Sequence, residues 1–168
     1  MRVFLACLAL ATVVATSALA IDLVTNAQVE IVDGITFNQT TALNFGVLAL
    51  NNGSVIVAAP DAAVTDVNNL MVDNTDVSQG IFSVVGTAGA DLSVDCAVGA
   101  MPTGITLGTF TADWADAGAA VPVPADRTLA AATEALEIGA TITVDRATAS
   151  TTGGTPANLP YTISVTYQ

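Results

Sequence analysis

The side chains that could do chemistry in this sequence are almost all carboxylates. Asp and Glu number 15, Lys and Arg together number 3, and there is no histidine. Without histidine, Ser-His-Asp and Cys-His catalysis and the common zinc and iron sites are excluded. All three basic residues are arginines, so Schiff-base chemistry and Walker-type phosphate loops, which need lysine, are excluded as well.

One local pair of carboxylates, Glu134 and Glu137, has the residue types that a hydrolase needs. Glycosidase carboxylates face each other across a cleft about 5–9 Å wide. Such clefts are normally lined by aromatic side chains, whereas this chain is 5% aromatic and has a single tryptophan, Trp114. The sequence therefore predicts a protein that is not an enzyme.

Calcium is the one cofactor that the composition could serve, because it takes about six to eight hard oxygen ligands. The candidate ligands lie in acidic loops: Asp61 with Asp66, Asp73 with Asn74 and Asp76, and Asp113 with Asp116. None of these groups has the spacing of an EF-hand. Solvated acidic loops without a metal are the alternative interpretation, and both stay open at this point.

The first 20 residues have the pattern of a secretory signal peptide. Arg2 supplies a positive charge, Val3 to Val14 an apolar stretch, and Ala18-Leu19-Ala20 a cleavage site of small residues. The mature chain is then expected to be residues 21–168, a length that suits a single domain. Its expected location is the periplasm, the cell surface or the medium of a bacterium. No apolar stretch after Ala20 is long enough for insertion into a membrane.

The formal charge of the whole chain is −12. A charge of this sign repels phosphate backbones and anionic lipid surfaces, so nucleic acid is not an expected partner. Cys96 is the only cysteine after the predicted cleavage site, which excludes a disulfide within the chain. It shares one face of the stretch "DLSVDCAV" with Leu92, Val94 and Val98, so a buried, inert thiol is expected, with a disulfide between chains as the alternative.

Strict alternation of apolar and polar residues recurs along the chain and is typical of strands with one buried face. It is clearest at Leu136 to Asp145 and at Tyr161 to Gln168. Weaker strands are predicted at Ala27–Val32, Leu43–Leu50, Ser54–Ala58, Ile81–Val85, Ala90–Val98 and Ile105–Phe110. The turn sequence "NNGS" at 51–54 predicts a hairpin between its flanking strands, with positive φ at Asn52 and Gly53.

Helical signals are weak, and one short helix at most is expected, either near Thr128 or in the loops Asp61–Asp76 and Thr111–Asp126. About eight short strands with Gly, Pro and Asn turns predict an all-β fold. The specific expectation is a two-sheet antiparallel, immunoglobulin-like sandwich. Its last strand is Tyr161 to Gln168, whose odd-numbered side chains fill the core.

Two stretches resemble a bacterial family known only as domain of unknown function 4402. These are "ALNFGVL" at Ala42–Leu48 and the C-terminal "ATITV" followed by "YTISVTYQ". The family is similar to this chain in its layout of a signal peptide, an early strand and alternating later strands. The resemblance implies a secreted β-rich fold, and it implies no activity.

The C-terminal strand is also similar to the last strand of chaperone–usher pilus subunits, which are completed by the N-terminal extension of a neighbouring subunit. Just after the predicted cleavage site, an alternation that is broken at Val24 and Thr25 places Ile21, Leu23, Ala27, Val29 and Ile31 between Asp22, Val24, Gln28 and Glu30. That segment has two interpretations: a strand donated to another copy, or the first strand of the chain's own sheet. Pilus subunits commonly carry a cysteine pair that this chain lacks.

These observations predict a structural protein outside the cytoplasm, such as a filament, pilus-like or matrix subunit. Its expected partners are copies of itself, as a homo-oligomer or filament, or other cell-surface proteins. Strand pairing at an exposed sheet edge is the expected mechanism. The alternative is a monomeric extracellular binding module that uses its acidic loops for calcium or a surface ligand.

Overall fold

A computed structural model describes residues 34–114 and 118–168 of the chain. Strands dominate these residues, and the one helical element among them is a 3-10 turn at Pro60–Ala62. The strands are β1 Thr36–Thr41, β2 Val47–Leu48, β3 Gly53–Val57, β4 Val64–Val67, β5 Met71–Asp73, β6 Gly80–Val85, β7 Asp91–Val98, β8 Ile105–Trp114, β9 Val121–Pro122, β10 Ala125–Thr128, β11 Thr133–Val144 and β12 Tyr161–Tyr167.

The strands form two main antiparallel sheets and one small one. The larger sheet is built on β11, which pairs with β8 along one side and with β6 and then β3 along the other. Strand β1 extends this sheet beyond β6, β4 beyond β3, and β9 beyond β8. The second sheet has the order β10-β7-β12, and β2 pairs with β5 in a separate two-stranded ribbon.

The core is filled by the alternating side chains that the sequence pattern predicts. On β11, Leu136, Ile138, Ala140, Ile142 and Val144 are all buried. The second sheet contributes Leu92 and Val94 of β7, and the odd-numbered residues of β12 pack against the same cluster. The expected all-β antiparallel sandwich with almost no helix is thereby confirmed, while its immunoglobulin-like strand order stays a prediction.

A bulge in β8 changes which residues of that strand face the core. The register against β11 shifts between Gly139 and Thr141, and Thr109 has a φ of 48°. Before the bulge the inward residue is Leu107; after it, Phe110 and Trp114 face inward. The strand therefore continues to Trp114, four residues beyond the predicted end at Phe110. Both aromatic residues are part of the core.

The predicted hairpin across "NNGS" is wrong. Strand β2 pairs with β5, and β3 pairs with β4 and β11. Gly53 is already part of β3, and neither it nor Asn52 has a positive φ. The reversal lies instead between β3 and β4, where Asp61 and Ala62 have φ values of 62° and 47°. Leu43–Leu50 contributes only the two-residue β2, in part because Gly46 turns the chain with a φ of 72°.

The predicted count of about eight strands is too low. Strands β1, β4, β5, β9 and β10 were not expected, because they are short or, like "TFNQTT" in β1, mostly polar. The helix considered near Thr128 is absent: β10 ends at Thr128 and β11 begins at Thr133. The predicted strand Ala27–Val32 and the signal peptide lie outside the described residues. In the described part, no helix is long and apolar enough to cross a membrane.

Candidate functional site: an open groove beside the last strand

Strand β12 forms an edge of the second sheet. Within residues 34–114 and 118–168 it pairs only with β7, in an unbroken register from Tyr161–Val98 to Tyr167–Leu92. Strand β1 likewise forms an edge of the larger sheet, since it pairs there only with β6. An edge strand presents unpaired backbone N–H and C=O groups, which makes it a template for another strand.

A groove lies between these two edges. It is lined by Phe37 and Gln39 of β1, Phe82 of β6, and Tyr161 and Ile163 of β12, and holds about 130 Å³ of open space. The Phe37 and Phe82 rings stack with their centroids 4.9 Å apart. The Tyr161 ring stacks on Phe110 at 5.7 Å, which fixes the other wall. The walls of the groove are therefore held by stacked rings, while its exposed lining is more polar than apolar.

The inward side chains of β12 are incompletely covered. Tyr161, Ile163, Val165 and Tyr167 are half-buried, whereas the inward side chains of the central strand β11 are fully buried. All four side chains pack against the core cluster, and Tyr161 and Ile163 also line the groove. An added strand would remove the remaining apolar surface from water, which is favourable by about 25 cal/mol per Å².

The relative directions of the strands around the groove follow from contacts at its two ends. The Tyr161 hydroxyl lies beside Gly80 at the start of β6. At the other end of β12, the Tyr167 hydroxyl lies beside Gly86 and accepts a hydrogen bond from the Thr87 N–H at 3.0 Å. Strand β12 therefore runs in the direction of β6. Because β1 is antiparallel to β6, the chain enters β1 at the Tyr167 end of the groove.

The other edges of the two main sheets carry features that discourage pairing. Charged residues, prolines and bulges are the usual devices. At the other edges of this chain the corresponding features are Asp66 in β4, the bulge at Thr109 in β8, Pro122 in β9, and Asp126 and Arg127 in β10. Strand β1 is uncharged, but its register shifts between Gln39 and Thr41. Strand β12 alone, among the described edges of these sheets, has no charge, no proline and no register shift.

Two of the calcium candidates use their carboxylates to hold turns. Asp66 accepts hydrogen bonds from the Leu70 N–H at 2.8 Å and the Met71 N–H at 3.0 Å. Asp73 accepts from the N–H and the hydroxyl of Thr75 at 2.9 and 2.6 Å, and these bonds lower the pKa of its carboxyl group. Such local bonds are typical of Asp in turns. Asp61, Asn74 and Asp76 are exposed.

Asp113 differs from the other calcium candidates because it is buried, at 1% exposure. Its Oδ2 accepts a hydrogen bond from the Gly118 N–H at 3.2 Å, and its Oδ1 is buried and has no hydrogen-bond partner among the residues that the structure describes. Its predicted companion Asp116 lies outside the described residues. No group of three or more Asp, Glu, Cys or His that could hold a metal occurs in the described residues. Calcium binding stays a prediction.

Glu134 and Glu137 do not form a facing pair. They are three positions apart on β11, so their side chains project to opposite faces of the sheet. Glu134 is buried, where its Oε1 accepts hydrogen bonds from the N–H groups of Ala130 and Ala131. Its Oε2 lies 3.6 Å from Nη2 of Arg127. This arrangement ties β10 to β11 and leaves no cleft between the two glutamates.

Cys96 is half-buried rather than fully buried, because β7 leaves the core at its far end, where Val98 is 44% exposed. Burial, with a smaller contribution from the charge of Asp95, raises the pKa of the thiol to about 12. The thiolate is the reactive form of cysteine, so this environment disfavours reaction.

The groove residues on β1 and β6 were missed by sequence reasoning. Phe37 and Gln39 belong to a strand whose polar composition hides its alternation, and Phe82 lies in the predicted strand Ile81–Val85 but was not expected to be part of a site. The available signal was Ile35 and Phe37 alternating with polar residues just after the turn-like "VDG".

A comparison with models of protein families assigns the chain to one family. The family model described as domain of unknown function (DUF4402) matches residues 35–167. The chain belongs to this family. This DUF4402 domain includes both walls of the groove, from β1 to β12. The match does not extend to chaperone–usher pilus subunits, so that weaker resemblance is not supported. No curated protein and no solved structure matches the chain.

Proposed function

We propose that the chain is an exported structural protein without enzymatic activity that assembles with copies of itself by strand pairing. Its place is the surface or surroundings of a bacterial cell, as a filament, pilus-like or matrix subunit. The observation that supports this proposal most is the uncharged β12 edge, which pairs with β7 alone among the described residues and whose four inward side chains are only half-buried. A soluble protein normally carries features that prevent pairing at such an edge, and this one carries them at its other edges.

Composition supports the same function. The signal-like N-terminus directs the chain out of the cytoplasm, and the lack of histidine and lysine removes the common catalytic side chains. The acidic surface keeps individual copies soluble, since like charges repel. Assembly through an uncharged strand avoids that repulsion at the point of contact.

The experiment is to purify the chain after export from a bacterial host and sequence its N-terminus. Its mass in solution is then measured by light scattering over a range of concentrations, followed by electron microscopy. The proposal predicts a defined oligomer or filaments. A monomer at every concentration would refute assembly.

The second candidate function is a calcium-dependent binding module, favoured by one observation: Oδ1 of Asp113 is buried and finds no hydrogen-bond partner within the described part of the chain. A bound cation would satisfy this oxygen. A ligand that binds only the folded state raises its stability, so millimolar calcium should raise the melting temperature. The rise should disappear in Asp113→Asn and persist in Asp76→Asn, an exposed site. No rise with calcium in the unaltered chain would exclude this candidate.

A further inference from the structure

We infer that β12 pairs with β12 of a second copy, antiparallel and centred on Ser164, so that two copies form a two-fold symmetric dimer. This inference rests on the proposed function, because it names the partner edge and the register of the pairing. The two-fold axis would pass between the Ser164 residues of the two copies. The second sheets of both copies would then join into one continuous sheet across the dimer.

The hydrogen bonds at the two ends of β12 show which of its backbone groups point away from β7. The Gln168 N–H donates to the Asp91 carbonyl at 3.0 Å, and the Gly99 N–H donates to the Pro160 carbonyl at 2.8 Å. Residues that exchange hydrogen bonds alternate with residues that do not in an antiparallel pair, and the register of β12 on β7 is unbroken. The even-numbered residues of β12 therefore bond to β7, and the odd-numbered residues direct their N–H and C=O groups to the edge.

These backbone directions restrict the register of a second β12. Only odd-numbered residues can exchange hydrogen bonds across the edge, so odd-numbered residues of the two copies must lie opposite each other. A register shifted by one residue would also place half-buried apolar side chains opposite exposed threonine and serine side chains. Among the allowed registers, the one that pairs Ser164 with Ser164 of the second copy aligns all 7 residues of β12.

In this register every inward pair consists of apolar or aromatic side chains. Ile163 lies opposite Val165 of the second copy, and Tyr161 lies opposite Tyr167 of the second copy. Each Ile163–Val165 pair would exchange two backbone hydrogen bonds. Aromatic pairs are among the cross-strand pairs that stabilise antiparallel strands, and all four side chains have apolar surface left to bury.

Charge does not oppose this contact, although the chain has a formal charge of −12. Neither β12 nor β1, the neighbouring edge of the other sheet, contains a charged residue. In the row of the two-fold axis, the first acidic residue is Asp95 of β7, directly opposite Ser164. The Asp95 residues of the two copies would be three strand spacings apart, about 14 Å. Salt at 0.1 M screens charges beyond about 10 Å.

Strand β1 is the other uncharged edge, and its pairing with β12 of another copy is the alternative. The register of β1 shifts between Gln39 and Thr41, and a bulge interrupts the hydrogen bonds of a strand pair. The unbroken β12 is therefore matched better by a second β12. The two arrangements also differ in symmetry: β12 with β12 closes at two copies, whereas β12 with β1 leaves a free edge at each end and would continue into a filament.

A cysteine at position 164 tests the pairing and its register. Opposite residues that do not exchange hydrogen bonds have Cα atoms about 4.5 Å apart, which a disulfide can bridge. Thr162→Cys is the matched control, since both positions are exposed on the same face of β12. In the proposed register the two residues 162 are four positions apart along the strands, about 13 Å, which is too far for a disulfide.

All variants carry Cys96→Ser and are purified after export, which removes Cys7 with the predicted signal peptide. Circular dichroism checks that they fold, and light scattering measures their mass. The folded chains are then oxidised under mild conditions and separated by non-reducing electrophoresis. A mixture of Thr162→Cys with Thr166→Cys is included, because these residues lie opposite each other in the proposed register.

The expected result is a disulfide-linked dimer of Ser164→Cys at a yield several-fold above that of Thr162→Cys. The mixture of Thr162→Cys with Thr166→Cys should form a mixed dimer at a yield similar to that of Ser164→Cys. Equal yields for Ser164→Cys and Thr162→Cys alone would overturn the register. A chain that assembles in solution but forms no disulfide at position 164 would refute this inference and leave the proposed function standing, whereas a monomeric chain would refute both.

Discussion

At the scale of single residues, Glu134 shows which of its contacts holds a buried charge in place. Its Oε1 accepts two backbone N–H bonds, whereas the Arg127 guanidinium lies 3.6 Å from Oε2 and its side chain is 32% exposed. A carboxylate is stabilised strongly by short bonds from backbone amides, and a partly exposed ion pair is weakened by solvent. The backbone bonds should therefore dominate.

Substitutions of Glu134 and of Arg127 should lower the free energy of unfolding by different amounts. Glu134→Ala leaves two N–H groups without their acceptor and should lower the free energy of unfolding by about 3 kcal/mol. Arg127→Met keeps those bonds and should cost about 1 kcal/mol. Arg146→Met, at the exposed arginine, is the control and should change stability by less than about 0.5 kcal/mol. Urea unfolding measures all three, and equal losses for Glu134→Ala and Arg127→Met would contradict this ranking.

At the scale of elements, Gly139 is the point where β11 exchanges one neighbour for another. Strand β11 pairs with β6 up to Ile138 and with β3 from Ala140 onward. The backbone of Val57, Ala58 and Ala59, where the chain leaves β3, lies directly against Gly139. A side chain there would collide with backbone atoms rather than with a movable side chain.

Gly139→Ala should therefore be costly, by about 3 kcal/mol of unfolding free energy, because overpacked sites relax poorly. Gly108→Ala is the matched control on the neighbouring strand β8. A Cβ at Gly108 meets no atom within 4 Å, and its φ is not positive. This change should be neutral or stabilise by up to about 1 kcal/mol, because alanine restricts the unfolded chain. Similar melting temperatures for the two variants would contradict the close approach at Gly139.

The strands also show which parts of the fold the sequence pattern could predict and which it could not. Strong alternation located β11 and β12, because apolar side chains occupy one continuous face of each strand, buried in β11 and half-buried in β12. The end of β8 was missed because the bulge at Thr109 shifts the inward positions by one residue, which looks like the end of an alternating pattern. The "NNGS" hairpin was wrong because turn residues specify a bend but not the partner strand. Partners are set by long-range packing.

At the scale of the whole molecule, composition predicted the class of fold and excluded much chemistry, but it could not place the candidate site. The groove needs β1 and β12 to come together at the borders of two sheets, although they lie at opposite ends of the domain sequence. Residue types alone drew attention to the acidic loops instead. There, Asp66 and Asp73 hold turns.

The central claim is that the groove-facing side of β12 is where copies associate. Its most direct test compares Ile163→Asp, which places a charge in the groove, with Thr162→Asp, on the exposed face of the same strand. A charge that points into an apolar contact must lose its hydration, which is unfavourable without a partner. Circular dichroism and urea unfolding check that both variants fold, and light scattering measures their mass over a range of concentrations. The account predicts that Ile163→Asp is a folded monomer while Thr162→Asp assembles like the unaltered chain; undiminished assembly of Ile163→Asp would contradict it.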